Sequence, residues 1–317
     1  MILITGINGE IGSALAKQLY INGKNEIIGF DLNGPNQNLK KYIKKHYVGD
    51  IINQKSVKKV FQDNKITEIY HLAAILSSKG EEDPFFAHKV NVDGFLNVVQ
   101  SINTSNIKFF FPSSIAVYHL DGNAKNISII EDDFCNPNNI YGCNKLYCEK
   151  IGSYFEIFKN IDFRSLRFSG IISAYSLPQG GTSDYAPEMI HHAVQNKNYT
   201  CFVREDSCIP FMIMPDAVNA IINLMDTKKS KINRNVYHIQ AFSPTVKDIY
   251  EKIISHFPKF NLVYDINEKR QKLIDSWPAQ LNQKNAEQDW GWKPKFNFDD
   301  AFEKYLIPKI KEFYKRR

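Results

Sequence analysis

The sequence predicts an α/β fold: a Rossmann-type, doubly wound parallel sheet with a smaller discontinuous C-terminal substrate-binding lobe. Three observations predict it. Short apolar runs alternate with helical periodicity through the first half of the 317 residues. Those runs are continuously apolar rather than alternating, as strands covered on both faces are. A glycine-rich turn joins the first run to the first helical pattern.

In order along the chain, Ile2–Thr5 predicts a strand, Ile11–Ile21 an amphipathic helix and Glu26–Phe30 a second strand. A short strand precedes Gly49-Asp50-Ile51, another lies near Glu68–His71, and a helical pattern covers Pro84–Ile102. Lys108–Pro112 is an apolar strand, Ile140–Phe158 a long helix, and Asp162–Arg167 returns to strand. After Gly170 the rhythm breaks. Ser176–Asp184, rich in Pro, Gly, Ser and Thr, predicts an exposed loop. A helix (Ala186–Gln195), a short strand (Thr200–Val203) and a helix opened by Pro215–Asp216 follow. Asn235–Ile239 reads as a further strand of the main sheet and Val246–Ser255 as helix. The last stretch carries Trp277, Trp290 and Trp292, then the helix Phe298–Tyr314. The expected division is 1–172 plus about 212–244 for the nucleotide domain, and about 173–211 plus 245–317 for the lobe.

Composition narrows the function. Hydrophobic residues at 43% and charged residues at 23% suit a packed core. The longest apolar runs, such as Ile27–Phe30 and Phe109–Phe111, are strand-sized, so no membrane span is expected. Met1 leads straight into Ile2–Ile4 without a basic lead-in, which predicts a cytoplasmic protein. The net charge of +6 has its most visible source in Lys40, Lys41, Lys44 and Lys45, a solvated face rather than a nucleic-acid surface. Five cysteines without a C-x-x-C pair predict reduced, structural thiols. Eight scattered histidines predict no metal site.

Gly6, Gly9 and Gly12 form G-x-x-G-x-x-G between strand and helix. Glycines there let the backbone approach a pyrophosphate, and the helix N-terminus supplies amides and a favourable dipole. Asp31, closing the second strand, is placed to hydrogen-bond ribose hydroxyls and to repel a 2′-phosphate, so NAD is expected rather than NADP. Asp50 is a second candidate, at the adenine edge, and Leu72, Ala73 and Ala74 are small enough for backbone approach to the dinucleotide.

Tyr141 and Lys145 form a Y-x-x-x-K pair at the start of a helix, on one face. A free tyrosine titrates near 10, too high for a base at neutral pH. A neighbouring ammonium lowers that value. Ser113 and Ser114 end a strand, where open α/β sheets place ligands, and one hydroxyl there can bond the oxygen being oxidised.

Together Gly6–Gly12, Asp31, HLAA (His71–Ala74), PSSIAVY (Pro112–Tyr118), Tyr141–Lys145 and LRFSG (Leu166–Gly170) resemble the extended short-chain dehydrogenase/reductase family, related to nucleotide-sugar epimerases. ILSSKGE (Ile75–Glu81), FRSLRFSGIIS (Phe163–Ser173), QGGTSDYAPEM (Gln179–Met189), YTCFV (Tyr199–Val203), PFMIMPDAVNAIINLM (Pro210–Met225) and DSWP (Asp275–Pro278) are more narrowly similar to the short-chain L-threonine 3-dehydrogenases. This resemblance implies a metal-independent, NAD-dependent oxidation of L-threonine to L-2-amino-3-oxobutyrate. It implies that Tyr141 is the general base, Ser114 orients the hydroxyl, and Lys145 holds the nicotinamide ribose. Ser114 keeps the family distance to Val117–Tyr118, which leaves Ser113 structural. Ser77, Thr182 and Asp184 are then expected around the amino acid, with Gly181 at the loop backbone and Trp277 closing from the lobe. Ile11, Ile51 and Asn91 join the expected cofactor contacts, as does Tyr141 itself. A homodimer built through the helices around Pro84–Ile102 and Ile140–Phe158 is also implied. Three residues depart from the family pattern: His119 after the Val-Tyr pair, Asn144 before the lysine, and Ser169 where proline is usual. The alternatives are a nucleotide-sugar 4-epimerase or dehydratase, for which the QGGTSDY loop suggests no uridine pocket, and a non-catalytic dinucleotide-sensing protein, in which the Tyr–Lys pair is often lost.

Overall fold

The structure, a computed structural model, describes residues 1–120, 127–178 and 181–315. Gln179 and Gly180 of the expected loop lie outside the described residues.

Ile2–Thr5, Ile27–Asp31, Lys45–Val48, Glu68–His71, Lys108–Ser114, Asp162–Phe168 and Val236–Ile239 form one seven-stranded sheet. From one edge the order is Val236–Ile239, Asp162–Phe168, Lys108–Ser114, Glu68–His71, Ile2–Thr5, Ile27–Asp31 and Lys45–Val48. Every pairing is parallel. The continuous apolar character follows from this: Leu3, Ile4, Ile28, Phe109 and Phe110 are buried because helices cover both faces. On one face Gln54–Asp63, Gly94–Ser101 and Ile140–Lys159 pack against Phe109, Phe111 and Phe163. On the other, Glu10–Ile21 and Met214–Asp226 pack against Ile4, Tyr70 and Leu166. From Ile2–Thr5 the chain first builds outward to Lys45–Val48, then crosses back to Glu68–His71 on the other side. The crevice at the carboxyl ends of those two strands is the topological switch point, where such sheets bind ligands.

The helical pattern expected over Pro84–Ile102 is present with one wide turn, Lys89–Asp93. Asn91 lies in that turn and brackets the Ile75 backbone, donating to its carbonyl at 3.1 Å and accepting from its amide at 2.8 Å.

A third core joins Tyr185–Val194, Val246–His256 and the C-terminal helical stretch 298–315, all within the expected lobe. The short strands outside the main sheet form parallel pairs: Gly170–Ile172 with Phe211–Ile213 at the expected boundary, Tyr199–Cys201 with Leu262–Tyr264, and Ser128–Ile129 of the expected nucleotide domain with Gln280–Leu281. Segments of two or three residues show no readable periodicity, so most of them left no mark in the sequence. The tryptophans divide. Trp290 and Trp292 pack in the core of the main sheet, with the Trp290 ring 5.9 Å from that of Tyr237. Trp277 belongs to the lobe core and faces the crevice. Among the described residues no helix is long and apolar enough to cross a membrane.

Candidate active site

The crevice holds a cavity of about 320 Å³. Its floor is the glycine-rich turn. Gly6 has a left-handed φ of +67°, and a Cβ there would stand 2.7 Å from the Ala73 amide nitrogen. At Gly12 it would stand 2.5 Å from the Gly6 carbonyl oxygen. Gly9 caps the Glu10–Ile21 helix without a side chain, so the first-turn amides face the crevice bare, the arrangement that suits an anion. Asp31 closes its strand against this turn, and its Oδ2 accepts the Asn8 amide at 3.0 Å.

One wall comes from one helix and one strand end. Asn139 caps the Ile140–Lys159 helix, accepting the Gly142 amide at 2.8 Å and donating to the Ala116 carbonyl at 3.3 Å. A side chain at Gly142 would collide with that same carbonyl. Only glycine lets the helix start press against the segment that carries Ser114. One turn on, Lys145 donates from Nζ to the Pro112 carbonyl at 2.7 Å, with its ammonium over the rings of Phe111 and Tyr141 at 4.7 and 5.3 Å. Burial pulls the lysine down to about 8. Burial also pushes the Tyr141 phenol above its ordinary range, so proton abstraction there depends on positive charge beside the ring. The Ser114 hydroxyl accepts the Ala116 amide at 3.1 Å, which leaves its own proton to donate. Ser113 donates to Glu149.

The opposite wall joins segments far apart in sequence. Ser77 and Thr182 meet hydroxyl to hydroxyl at 3.1 Å. The Asp184 carboxylate accepts the Gly181 amide at 2.7 Å, and Arg270 donates to the Gly181 carbonyl at 3.1 Å while its guanidinium lies 3.8 Å over the Phe202 ring. Within the loop expected to be exposed, Leu177 is exposed, whereas residues 181–184 are tucked inward, with Thr182 only 3% exposed. Tucking satisfies its polar groups inside the protein. Trp277 lines the cavity, its indole nitrogen buried without a partner.

Gly6, Gly9, Ile11, Gly12, Leu72, Ala74, Ser77, Ser114, Tyr141, Lys145, Gly181, Thr182, Asp184 and Trp277 thus share one cavity. Asp31, Asp50, Ile51, Ala73 and Asn91 stand off it. Asp50 accepts the Ile52 amide at 3.1 Å, Ile51 packs against Gly94 in the core, and the Ala73 amide donates to Thr5 at 3.3 Å. Sequence reasoning passed over Glu10, which lies inside the glycine motif and lines the cavity. Burial raises its carboxyl, Ser176 opposes that by hydrogen bonding, and Asp184 adds to it. Arg270 was also passed over, because nothing near it in sequence marks it. Of the residues departing from the family pattern, Asn144 is hydrogen-bonded to His88 at 3.1 Å, and Ser169 lines the cavity with its hydroxyl buried and unpartnered.

A nicotinamide dinucleotide fits this donor set: a cradle that any Cβ would fill, a helix N-terminus, and a spare buried hydroxyl. Among the described residues no group of three or more His, Cys, Asp or Glu is arranged to hold a metal ion.

The chain is 32% identical over 303 residues to the mitochondrial L-threonine 3-dehydrogenase of Bos taurus, covering 94% of this chain and 80% of that one. Among solved structures it resembles a monomeric L-threonine 3-dehydrogenase of metagenomic origin, at a TM-score of 0.91 and 35% identity over 98% of this chain and 99% of that one. It also resembles the L-threonine dehydrogenase of Clostridium difficile, at a TM-score of 0.91 and 30% identity over 98% and 97%. The model of the NAD dependent epimerase/dehydratase family matches residues 2–239, the part that holds the glycine turn, the Tyr141–Lys145 pair and all seven strands of the sheet. The chain belongs to that family, and within it to the enzymes that carry out NAD-dependent dehydrogenation.

Proposed function

We propose that this chain oxidises L-threonine at its β-carbon, giving L-2-amino-3-oxobutyrate with NAD⁺ reduced to NADH. The observation that carries it is the meeting of Ser114, Tyr141 and Lys145 with Ser77, Thr182 and Asp184 around one small cavity.

Bound NAD⁺ supplies the hydride acceptor, held by the glycine turn and, at its ribose, by Lys145. The protein's own work is placement and proton transfer. Ser114 orients the β-hydroxyl, and Tyr141 takes its proton as the hydride leaves the β-carbon. Lys145, protonated below about 8, makes the buried phenol a better acid. The Asp184 carboxylate and the Ser77–Thr182 pair face the substrate's ammonium and carboxylate, and Trp277 screens the site from water.

The test is one spectrophotometric experiment. NADH should form from L-threonine and NAD⁺ and not from UDP-sugars. kcat/KM for NADP⁺ should be much lower, because Asp31 repels a 2′-phosphate. Turnover of a UDP-sugar without threonine oxidation would replace this reading with the epimerase one.

A further inference from the structure

The helix that carries Tyr141 and Lys145 presents a third polar group on the same stripe. Glu149 follows Lys145 by four residues and is 1% exposed. Its carboxylate is fully engaged: Oε1 accepts from Ser113 and from Arg167 Nε at 2.8 Å, and Oε2 accepts from Arg167 Nη2 at 2.6 Å. Arg167 donates in turn to the Tyr118 hydroxyl at 2.9 Å and to the Glu131 carbonyl. The Tyr118 hydroxyl therefore donates onward to His238 Nδ1 at 2.8 Å, which leaves His238 Nε2 to donate to the Asn282 carbonyl at 2.7 Å. The segment Ser113–Tyr118, with Ser114 inside it, is gripped at both ends by one ion pair anchored on the catalytic helix.

The same carboxylate has an electrostatic consequence. Tyr141, Cys148 and Glu149 face Lys145 from its own helix, and His71 faces it from the strand Glu68–His71. Burial pushes the Cys148 thiol up to about 12 and pulls His71 down to about 3, so both are neutral at working pH. Tyr141 is neutral until it ionises. Among the described residues Glu149 is then the one standing anion facing the ammonium, opposing the burial that pulls it down. Arg167 balances Glu149 from the strand behind, at 2.6 Å.

We propose that Glu149 is a positioning residue for the reaction: it fixes Ser114 against Tyr141 through Ser113 and Arg167, and it sustains the charge of Lys145. This rests on the dehydrogenase reading of the site. Replacing Glu149 by Gln removes the anion and leaves Arg167 uncompensated, and both changes disfavour the ammonium. In E149Q the alkaline fall of kcat should therefore move to lower pH by about one unit, the size of effect a close charge has. kcat at its optimum should fall at least tenfold as Ser114 loses its anchor. E149D keeps the charge and shortens the reach, so its alkaline limb should stay near that of wild type while its kcat stays low. Acetylation of Lys145 by acetic anhydride against pH, read by mass spectrometry on NAD⁺-free protein, measures the lysine without any turnover. It should show the same downward shift in E149Q, whether or not threonine is the substrate. Should E149Q not fold, E149D and the wild type alone must still differ in kcat and agree in alkaline limb. Unmoved titration of Lys145 in folded E149Q, or E149D with wild-type kcat, overturns the proposal.

Discussion

Tyr141 shows two opposing effects on one side chain. Burial keeps its phenol protonated, and the neighbouring Lys145 ammonium favours the phenolate. As the proposed base it would work only while the lysine is charged, which places the expected productive range below about 8 at its upper limit. Tyr141→Phe removes the proton-accepting oxygen and leaves the other contacts expected to bind dinucleotide. kcat should fall by about 10²–10⁴-fold while NAD⁺ affinity, followed by fluorescence quenching, stays near that of wild type. Retained turnover in Y141F would remove the phenol from the chemistry. At this scale the sequence was most informative where spacing carries meaning, since i and i+4 on a helix put Tyr141 and Lys145 together before any coordinate is known. Glu149 was silent because an acid two turns along a helix ordinarily faces water; only the partners that Arg167 and Ser113 bring from two other strands make it part of the site. Glu10 was hidden in plain view by the glycines around it.

Elements were legible in proportion to their length. The long helices show their period and the strands of the main sheet their continuous apolar runs, whereas most of the short paired strands outside it show neither. One property of the long helices is visible only in three dimensions. On Ile140–Lys159, Tyr154, Ile157 and Phe158 are 53%, 88% and 67% exposed, and the helix opening at Pro84 adds Phe85 at 83%. The rings of Tyr154 and Phe158 stack at 5.5 Å, giving the face a preformed apolar surface. Large exposed apolar side chains clustered along one helix mark an association surface. We propose that a second copy of the chain covers them by two-fold pairing, the simplest self-complementary arrangement. A relative described as monomeric makes the test decisive. Sedimentation should give a dimer for the wild type and a monomer for the Ile157→Glu, Phe158→Lys double variant, with its melting transition still cooperative. A monomeric wild type at micromolar concentration would leave this face without that partner.

At the scale of the whole molecule, the proposed chemistry sits at the strand ends of the sheet, and the proposed cover, residues 181–184, reaches it from the second half of the chain. The sheet half was readable in outline because each strand and helix repeats one local rule. The meeting of Ser77 with Thr182 came from the family resemblance alone and Arg270 from nothing, because these bonds link distant segments: Ser77 to Thr182 across 105 residues and Gly181 to Arg270 across 89. The lobe strap beside the cavity is fastened in the same way, with the Leu120 amide donating to the Ser276 carbonyl at 2.8 Å, next to Trp277. Such a loop has two possible roles, a fixed turn or a cover that tightens on substrate. Asp184 serves the turn directly, since its carboxylate holds the Gly181 amide, so Asp184→Ala should lower stability as well as threonine affinity. Thr182 separates the roles. Among the described residues its hydroxyl bonds Ser77 alone, a neighbour with which a small polar substrate can exchange hydrogen bonds. Thr182→Ala should raise the KM for threonine more than tenfold, because a site built to bond polar groups is left with unpaired buried atoms. NAD⁺ affinity and melting temperature should change little. Arg270→Ala frees the Gly181 carbonyl and should slow turnover by loosening the cover, without touching the reacting atoms. Threonine added to the NAD⁺ complex should then protect the amides of residues 181–186 from hydrogen exchange in the wild type and much less in R270A. Equal protection with and without threonine would make the segment a fixed turn, with substrate selection resting on Ser114 and Ser77 alone.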